Sequence, residues 1–367
     1  MTITADVIVI GGGMAGVSAA AELSSEARVV LLEMESSVGY HASGRTAAIF
    51  IRNYGNETLR ALNSIAEDFF LNPEGVSESS LLSPRGQLMF AHEAELDKLN
   101  TYLEGAEGME TLTAREAGDL VPILKTDLIV KAAYEKNARD IDVDRMLQGY
   151  LKLLKSRKGS VFTDKKVIEI TFKDGVWNVH AGTEHYQAKV IVNAAGAWVD
   201  DLAKLANVAT VGANPLRRSA AILPKPEVSG FEEWPLFVSA SESFYAKPEA
   251  GTLMVSPADE DPVEPHDAWV DDMALAEGLH RFEQATTIEV NRLEHSWAGL
   301  RTFVEDRTPV VGFAPDAEGF FWLAGQGGYG IQTAPALSKI ATELILNREP
   351  LLDNTILNAL KPDRFGE

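Results

Sequence analysis

The N-terminal stretch DVIVIGGGMAG constrains the fold of this chain more than any other segment. Val7–Ile10 is a short apolar run typical of a buried parallel strand, and Gly11, Gly13 and Gly16 follow it in the spacing G-x-G-x-x-G. A run of small residues, MAGVSAAAEL, continues as a predicted helix. Glycines at these positions permit a tight turn, let backbone N–H groups approach a pyrophosphate and let the helix pack close to the strand. The stretch therefore predicts a strand–turn–helix unit that binds a dinucleotide.

An acid at the end of the second strand supports this interpretation. The segment ARVVLLE ends at Glu33, 22 residues after Gly11, where the motif requires an acceptor for a ribose hydroxyl. Gly325, Gly327 and Gly330 in GQGGYG repeat the glycine spacing between an apolar run and a predicted helix, but no strand ending in an acid follows them. We therefore do not expect the second occurrence to be another Rossmann site.

The composition excludes several classes of partner and chemistry. Acidic side chains outnumber basic ones by 54 to 33, and the net charge of -21 argues against nucleic acid and anionic membranes as partners. The chain has no cysteine, which rules out disulfides, thiolate metal sites, cysteine nucleophiles and a flavin attached through sulfur. Its seven histidines show no ligand spacing, so we expect no metal site.

The sequence also lacks the features of export and membrane insertion. Its first residues contain no basic region and lead directly into a strand, and no apolar run approaches the length of about 18 residues that a membrane span needs. We therefore expect a cytoplasmic protein without a membrane span.

Nucleotide-binding features recur at three places that lie more than a hundred residues apart: DVIVIGGGMAG, VIVNAAGAW and GQGGYGIQT, the last leading into a helix predicted over residues 334–347. The length of 367 residues suggests two domains, one of them discontinuous. An ordinary NAD dehydrogenase keeps its dinucleotide half in one block. Three distant segments instead favour a longer ligand whose far end is a flavin. An NAD(P)-dependent dehydrogenase and a nucleotide-binding module without catalysis are the competing interpretations.

Three arginines are candidates for binding an anionic group. Arg217 and Arg218 are neighbours on a predicted strand, so their side chains leave opposite faces and at most one enters a pocket; both could also be solvated surface charges. Arg301 lies among apolar residues in WAGLRTF, where an arginine is seldom buried without an anion. Either a substrate carboxylate or a nearby acidic side chain would supply that anion.

Several motifs together resemble the FAD-dependent D-amino acid oxidase family, and within it most closely the bacterial D-arginine dehydrogenases. The motifs, spread over nearly the whole chain, are VIVIGGGMAG, GYHASGRTAA, NYGNETLRAL, LLSPRGQLM, VIVNAAGAW, RRSAAI, SFYAKPEAG, SWAGLRTFV and GFFWLAGQGGYGIQT. The resemblance implies noncovalent FAD and hydride transfer from the amino acid Cα to flavin N5. The resulting imino acid would be hydrolysed to a 2-oxo acid and ammonia.

The resemblance also implies the fold. We expect an α/β protein in which a doubly wound FAD-binding domain of the Rossmann-like, glutathione-reductase type is joined to a β-rich α+β substrate domain. The FAD-binding domain is expected to be discontinuous, over residues 1–85, 140–215 and 302–367. The substrate domain is expected over residues 86–139 and 216–301.

The FAD contacts implied by the resemblance fall in short segments. Glu33 would face the adenosine ribose, and Val167 would reach the adenine through its backbone. Residues 42–48 would line the isoalloxazine, and N–H groups of residues 327–332 would stabilise negative charge on the reduced flavin. The full set, in which Ala15 and Gly16 face the pyrophosphate, is Gly11, Gly13, Met14, Ala15, Gly16, Glu33, Met34, Ala42, Ser43, Gly44, Arg45, Thr46, Ala47, Ala48, Val167, Ala195, Gly196, Trp198, Gly327, Gly328, Tyr329, Gly330, Ile331 and Gln332.

Four side chains are implied to act on the substrate. Arg218 and Arg301 would bind its carboxylate, and Tyr54 and Tyr245 would bind and orient it; these four are the predicted catalytic residues. The predicted substrate-binding set adds Ile49, Gln87 and Gly328. Neither tyrosine is needed as a base, because a neutral amine already carries a lone pair that drives hydride departure. We therefore expect loss of either arginine to reduce activity more than loss of either tyrosine.

The sequence departs from the D-arginine dehydrogenases at the substrate pocket. Gln87 stands where those enzymes carry the acid that meets the substrate guanidinium, and Ile49 and Ile51 stand in place of His and Thr. Each difference makes the pocket less anionic and more apolar, and an unpaired cation there would be costly. We therefore expect a preference for neutral or apolar D-amino acids over D-Arg and D-Lys.

The electron acceptor is predicted from one further position. In sarcosine-oxidase-like relatives a lysine near the flavin assists O2 reduction, and Met254 aligns with it approximately. This favours a dehydrogenase that passes electrons to a quinone or a dye over an oxidase. The alternative is a flavoprotein on the same scaffold that oxidises glycine, sarcosine or a 2-hydroxy acid.

Overall fold

The structure is a computed structural model that describes residues 2–365. Within this range the strands, numbered along the chain, are β1 (Thr2–Thr4), β2 (Val7–Ile10), β3 (Val29–Leu32), β4 (Ile49–Phe50), β5 (Leu82–Pro84), β6 (Gln87–Ala91), β7 (Met109–Leu112), β8 (Lys131–Glu135), β9 (Arg139–Ile141), β10 (Ser160–Phe162), β11 (Val167–Lys173), β12 (Val176–Ala181), β13 (Glu184–Ala188), β14 (Val190–Asn193), β15 (Asn214–Leu223), β16 (Leu236–Ser239), β17 (Tyr245–Glu249), β18 (Thr252–Ser256), β19 (Asp261–Pro262), β20 (His295–Phe303), β21 (Val310–Phe313) and β22 (Phe320–Ala324).

The helices of the same range, numbered in the same way, are α1 (Met14–Leu23), α2 (Glu57–Leu71), α3 (Leu96–Leu103), α4 (Ala114–Leu120), α5 (Val143–Ser156), α6 (Val199–Leu205), α7 (Asp272–Ala285), α8 (Gly330–Ile345) and α9 (Asn354–Leu360). None of these helices combines the length and the apolar character that crossing a bilayer requires.

A six-stranded sheet forms the centre of the α/β fold, in the strand order β10-β3-β2-β14-β22-β21. Five strands are parallel, and only β21 runs antiparallel to its neighbour. Both faces of β2 are buried, because Val7 and Val9 pack against a layer that contains α1, α2, α5 and α8, whereas Ile8 and Ile10 pack toward the four-stranded sheet β1-β13-β12-β11. The continuous apolar run that predicted a buried parallel strand is explained by this double burial.

A nine-stranded sheet forms the second part of the molecule, in the order β19-β15-β18-β17-β16-β6-β8-β7 with β20 paired to β15. Its two faces differ because successive side chains on a strand point to opposite sides. On β6, Leu88 and Phe90 face an apolar core that includes Phe282 of α7, whereas Gln87 and Met89 face the other way. That other face carries the polar side chains of the candidate site. A small sheet, β4-β9-β5, is formed by strands that occur where the chain passes from one of the larger sheets to the other.

The last long helix differs from its prediction. It begins at Gly330, four residues before the predicted start at residue 334, and it contains Pro335 in its interior. Proline is common in the first turn of a helix but costly in its interior, because it lacks an N–H group. Here Thr333 donates its backbone N–H and its hydroxyl to the Tyr329 carbonyl, at 3.0 and 2.9 Å, and holds the earlier turn in helical form. The glycine-rich loop and the helix N-terminus are therefore continuous.

Candidate functional site

A cleft of about 720 Å³ lies at the carboxyl ends of the parallel strands. Ligands of open α/β sheets bind at this edge. Most of the predicted cofactor-binding residues line the cleft: Gly11, Gly13, Met14, Ala15, Glu33, Met34, Ala42, Ser43, Arg45, Thr46, Val167, Ala195, Gly196, Trp198, Gly327, Gly328, Gly330 and Ile331. The sequence motifs that lie more than a hundred residues apart are thus brought to one surface.

The first glycine turn leaves no room for side chains. Gly11 has φ +113°, a left-handed conformation that L side chains rarely adopt, and a Cβ there would overlap the carbonyl oxygen of Ala194. A Cβ on Gly16 would overlap the carbonyl oxygen of Gly11, so this glycine brings the helix close to the strand. The absence of these Cβ atoms leaves a backbone-lined cradle at the N-terminus of α1, as a pyrophosphate requires.

Glu33 closes one side of this cradle. Its carboxylate is buried and accepts the N–H groups of Gly12 (2.5 Å) and Glu35 (2.8 Å). Burial raises the pKa of this carboxyl, although the two backbone hydrogen bonds act in the opposite direction. The acid therefore lies at the cleft wall where the sequence predicted a ribose partner.

Six predicted cofactor residues do not line the cleft. Ala47, Ala48 and Gln332 line the adjoining cavity instead. Gly16, Gly44 and Tyr329 line neither space. These three residues support the segments that do line the two spaces. Gly16 and Gly44 pack against backbone carbonyls, and Tyr329 is buried against Phe303.

The side chain of Gln332 is hydrogen-bonded to the backbone of Ile51. Its Oε1 accepts the N–H of Ile51 at 3.1 Å, and its Nε2 donates to the Ile51 carbonyl at 3.3 Å. Gln332 therefore ties the first turn of α8 to the segment that carries Tyr54. Arg45 likewise donates to the carbonyls of Ala268 (3.0 Å) and Ala298 (3.1 Å).

A second cavity of about 100 Å³ shares Thr46, Arg301, Gly328 and Ile331 with the cleft. All seven predicted substrate-binding residues line it: Ile49, Tyr54, Gln87, Arg218, Tyr245, Arg301 and Gly328. The cavity thus adjoins the cleft at the glycine-rich loop, and the cleft extends from there to Val167 and to Lys165, Lys166 and Lys204.

The pairing of β15 with β20 places two arginines on one face of the sheet. Arg218 lies opposite Gly299, and Arg301, two residues further along β20, lies opposite Leu216. Arg217 points to the other side, where its guanidinium lies 2.8 Å from a carboxylate oxygen of Asp261. Strand alternation therefore admits Arg218 to the cavity and excludes Arg217.

The two cavity arginines have different partners. Arg218 donates its Nη2 to Glu260 at 2.8 Å and its Nε to the Asp259 carbonyl at 2.8 Å. Burial opposes its positive charge, but nearby tyrosines and acids outweigh that effect and raise its pKa. Arg218 is therefore already paired with an acid.

Arg301 has no such counter-charge. It is buried, its Nη2 donates to the Arg45 carbonyl, and its Nη1 has no hydrogen-bond partner within residues 2–365. Over the same range no carboxylate oxygen lies within 4.0 Å of its guanidinium, so a structural ion pair does not account for it. Burial lowers its pKa to about 10, which leaves it cationic at neutral pH. A buried cation with a free N–H group is suited to an anionic ligand.

The two predicted tyrosines border the same space. Tyr54 is partly buried, and its ring meets that of Tyr329 edge to face with centroids 5.0 Å apart. Burial, with a smaller effect from Glu242, raises the pKa of Tyr54 well above its ordinary value. Tyr54 is therefore protonated under ordinary conditions and acts as a hydrogen-bonding group. Tyr245 lies on the cavity face of β17.

Among the cavity residues that sequence reasoning missed, two are polar: Tyr102 and Glu242. The Tyr102 hydroxyl donates to Gln87 Oε1 at 3.4 Å. Glu242 lies in the turn between β16 and β17 with φ +53°, and within residues 2–365 no basic group lies within 4.0 Å of its carboxylate. Both residues lie in a helix or turn whose packing no local motif reports. The cavity therefore contains an acid, Glu242, that the absence of an acid at position 87 did not predict.

Met254 is placed away from the cleft and the cavity. It is buried on β18 directly opposite Lys247, whose ammonium pairs with Asp140 and Glu249 at 2.8 Å each. Its position therefore does not decide how the flavin meets oxygen.

Comparison with known proteins assigns the chain to one family. The family model described as FAD dependent oxidoreductase (DAO) matches residues 6–344. The chain is 24% identical over 372 residues to glycine oxidase of Geobacillus kaustophilus (strain HTA426), covering 96% of each chain, and 26% identical over 365 residues to glycerol 3-phosphate dehydrogenase of Caloramator mitchellensis, covering 93% of this chain and 74% of that one.

Solved structures show the same fold. The crystal structure of glycine oxidase from Geobacillus kaustophilus superposes with a TM-score of 0.86 at 21% identity and covers 100% of both chains. That of L-proline dehydrogenase from P. horikoshii has a TM-score of 0.86 at 18% identity and covers 100% of this chain and 98% of that one. At these identities the structural likeness extends to the fold.

Proposed function

Because this chain belongs to the DAO family of FAD-dependent oxidoreductases, we propose that it oxidises D-amino acids with neutral or apolar side chains. The products are imino acids, which hydrolyse to 2-oxo acids and ammonia. The observation that carries this proposal is the buried, unneutralised guanidinium of Arg301, which borders both the FAD cleft and the small cavity. An anionic group of a small substrate would complete its hydrogen bonding.

The residues of the cleft fit noncovalent FAD. The cradle at Gly11 and Gly16 would hold the pyrophosphate, Glu33 a ribose, and the backbone of the 327–332 segment the flavin end. When bound, FAD accepts a hydride from the carbon that carries the amine. The unpartnered N–H groups at the start of α8 favour negative charge at this end of the cleft.

The cavity side chains bind and orient the substrate. Arg301 pairs with the carboxylate, and Arg218, whose charge Glu260 already balances, contributes orientation more than net charge. The raised pKa of Tyr54 keeps it protonated, so it donates or accepts a hydrogen bond and does not remove a proton. Binding the amine in its neutral form leaves a lone pair to drive hydride departure without a separate base.

The walls of the cavity support a neutral side chain of moderate size. Its apolar lining is formed by Ile49, Ile51, Met89, Leu236 and Val238. A volume of about 100 Å³ has room for roughly seven to ten water-sized groups. An apolar side chain of the substrate would pack against these walls.

A second candidate is oxidation of glycine or sarcosine. The small cavity favours it, as does the likeness to glycine oxidase along 96% of both chains. The apolar walls distinguish the two, because a side chain gains burial against them and glycine gains none.

The electron acceptor proposed is a quinone or a dye, which makes the protein a dehydrogenase. No lysine lines the small cavity in the described part of the chain. The lysines that line the cleft are Lys165, Lys166 and Lys204. Formation of hydrogen peroxide in air at the rate of substrate oxidation would contradict this proposal. A cytoplasmic location remains a prediction from the sequence.

One experiment tests substrate class and stereochemistry together. Purified protein loaded with FAD is mixed without oxygen with D-leucine, D-valine, D-alanine, glycine, sarcosine, D-lysine, D-arginine, D-glutamate, L-leucine and lactate, and flavin bleaching is followed. We expect D-leucine or D-valine to bleach the flavin fastest and L-leucine not to react. Fastest bleaching by glycine or sarcosine would favour the second candidate, and fastest bleaching by D-arginine would refute the neutral preference.

A further inference from the structure

Glu135 is a buried acid that the proposed chemistry does not use. It ends β8, and its side chain is only 2% exposed. The guanidinium of Arg52, a residue whose backbone N–H contacts this carboxylate, pairs with Glu67 and Glu107 instead. A buried carboxylate without an ion pair is costly unless hydrogen-bond donors compensate it. The donors around Glu135 therefore indicate what the carboxylate does.

Both carboxylate oxygens accept hydrogen bonds from one short segment. Oε1 accepts the backbone N–H of Arg52 at 2.9 Å, and Oε2 accepts Nδ2 of Asn53 at 2.7 Å. Asn53 is itself buried and exchanges two hydrogen bonds with the backbone of Glu107, at 3.0 and 2.8 Å. Glu135 thus fixes the two residues that immediately precede Tyr54.

Other contacts hold the flanks of this segment. Gln332 binds the backbone of Ile51, and Asn63 Nδ2 lies within hydrogen-bond distance of the carbonyls of Ile51 (3.3 Å), Arg52 (3.3 Å) and Tyr54 (3.1 Å). Neither side chain reaches the Arg52 N–H or the Asn53 side chain. Asn63 therefore holds the carbonyl side of this stretch, whereas Glu135 holds the Arg52 N–H and the Asn53 side chain.

The strand that carries Glu135 does not need this carboxylate. β8 is paired along its length with β6 on one side and β7 on the other. Glu135 also lies directly opposite Gln87, a residue of the cavity wall. The carboxylate accordingly connects the cavity wall of the sheet to the segment that bears Tyr54.

We infer that Glu135 is a positioning residue: through the Arg52 N–H and the Asn53 amide it holds Tyr54 at the substrate cavity. The inference rests on the proposed function to the extent that Tyr54 contacts substrate. The hydrogen bonds themselves are testable without any substrate.

The first test uses Glu135→Gln, which keeps the shape of the side chain. One carboxylate oxygen becomes an NH2 group, which cannot accept a hydrogen bond from the Arg52 N–H or from Asn53 Nδ2. Hydrogen–deuterium exchange is measured on the FAD-loaded protein for peptides covering residues 49–56 and 57–71. We expect exchange in 49–56 to rise about tenfold, as for loss of one buried hydrogen bond, with little change in 57–71. Glu110→Gln on the adjacent β7, an exposed position opposite Tyr134, is the matched control. Unchanged exchange in 49–56 would overturn the inference.

The second test separates positioning from general stability. With D-leucine as substrate, Glu135→Gln is expected to lower kcat/KM about tenfold, mostly through KM, at unchanged FAD content. In a Tyr54→Phe background the same substitution should cost less than about twofold, because its effect passes through Tyr54. Equal losses in both backgrounds would overturn the inference.

If no amino acid bleaches the flavin of the unaltered protein, the proposed function fails while the exchange result still decides the role of Glu135.

Discussion

The cleft of about 720 Å³ and the cavity of about 100 Å³ adjoin each other but are built from different materials. Backbone and glycines at the ends of parallel strands form much of the cleft wall. Side chains from the nine-stranded sheet, the segment before α2 and helix α3 form the cavity. Backbone cradles depend on local sequence, whereas the cavity depends on which face of each strand is turned inward. Substrate choice can therefore change by single substitutions while the cofactor site is retained.

The largest effect is expected from a substitution that alters the cleft and leaves the cavity unchanged. Gly11→Ala places a Cβ against the Ala194 carbonyl at a left-handed position, so we expect FAD affinity to fall about 100-fold. Equilibrium dialysis of FAD measures the loss. Gly175→Ala, also left-handed at φ +77° but with open space around it, is the control and should keep its FAD. Equal retention by both variants would show that the cradle is not a pyrophosphate site.

The next largest effect is expected from a substitution that alters substrate binding in the cavity and leaves FAD binding unchanged. Arg301→Lys removes the forked guanidinium, and kcat/KM for D-leucine should fall about 100- to 1,000-fold while FAD content stays the same. Arg217→Lys, on the opposite face of the sheet, should change it by less than about threefold. A similar loss in both variants would mean that Arg301 acts through folding and not through the substrate.

A smaller effect is expected from the tyrosines. Tyr54→Phe and Tyr245→Phe each remove one hydroxyl and keep the ring, so steady-state kcat/KM should fall about tenfold in each variant. A Tyr245→Phe protein slowed more than Arg301→Lys would reverse the ranking of anion binding over orientation.

The smallest effect sharpens the difference between the two regions. Gln87→Glu should raise the ratio of kcat/KM for D-lysine over D-leucine about tenfold, because the new acid is buried. Glu242→Gln should lower the same ratio only about threefold, since water screens an exposed acid. FAD affinity should not change in either variant. A larger effect from Glu242→Gln would show that this acid, and not position 87, sets charge preference.

The strand–turn–helix unit and its acid were predictable because their residues are neighbours in sequence or follow a fixed spacing. The α/β fold and the family were predictable for the same reason, since several such motifs occur in order. Helix α8 begins four residues before its predicted start, because Thr333 holds the turn that precedes Pro335 in helical form. The domain boundaries and the roles of individual site residues remain predictions.

What the sequence by itself determined is the cofactor half of the protein: a glycine turn, an acid at the end of a strand and a glycine-rich loop that opens a helix have local geometric requirements that few other residues meet. Only the tertiary structure decided which charges meet at the substrate. Strand register placed Arg301 in the cavity without an acid and paired Arg218 with Glu260, and a turn brought Glu242 to the same space. Such pairings depend on distances between remote segments, and these distances exist only after the sheets have packed.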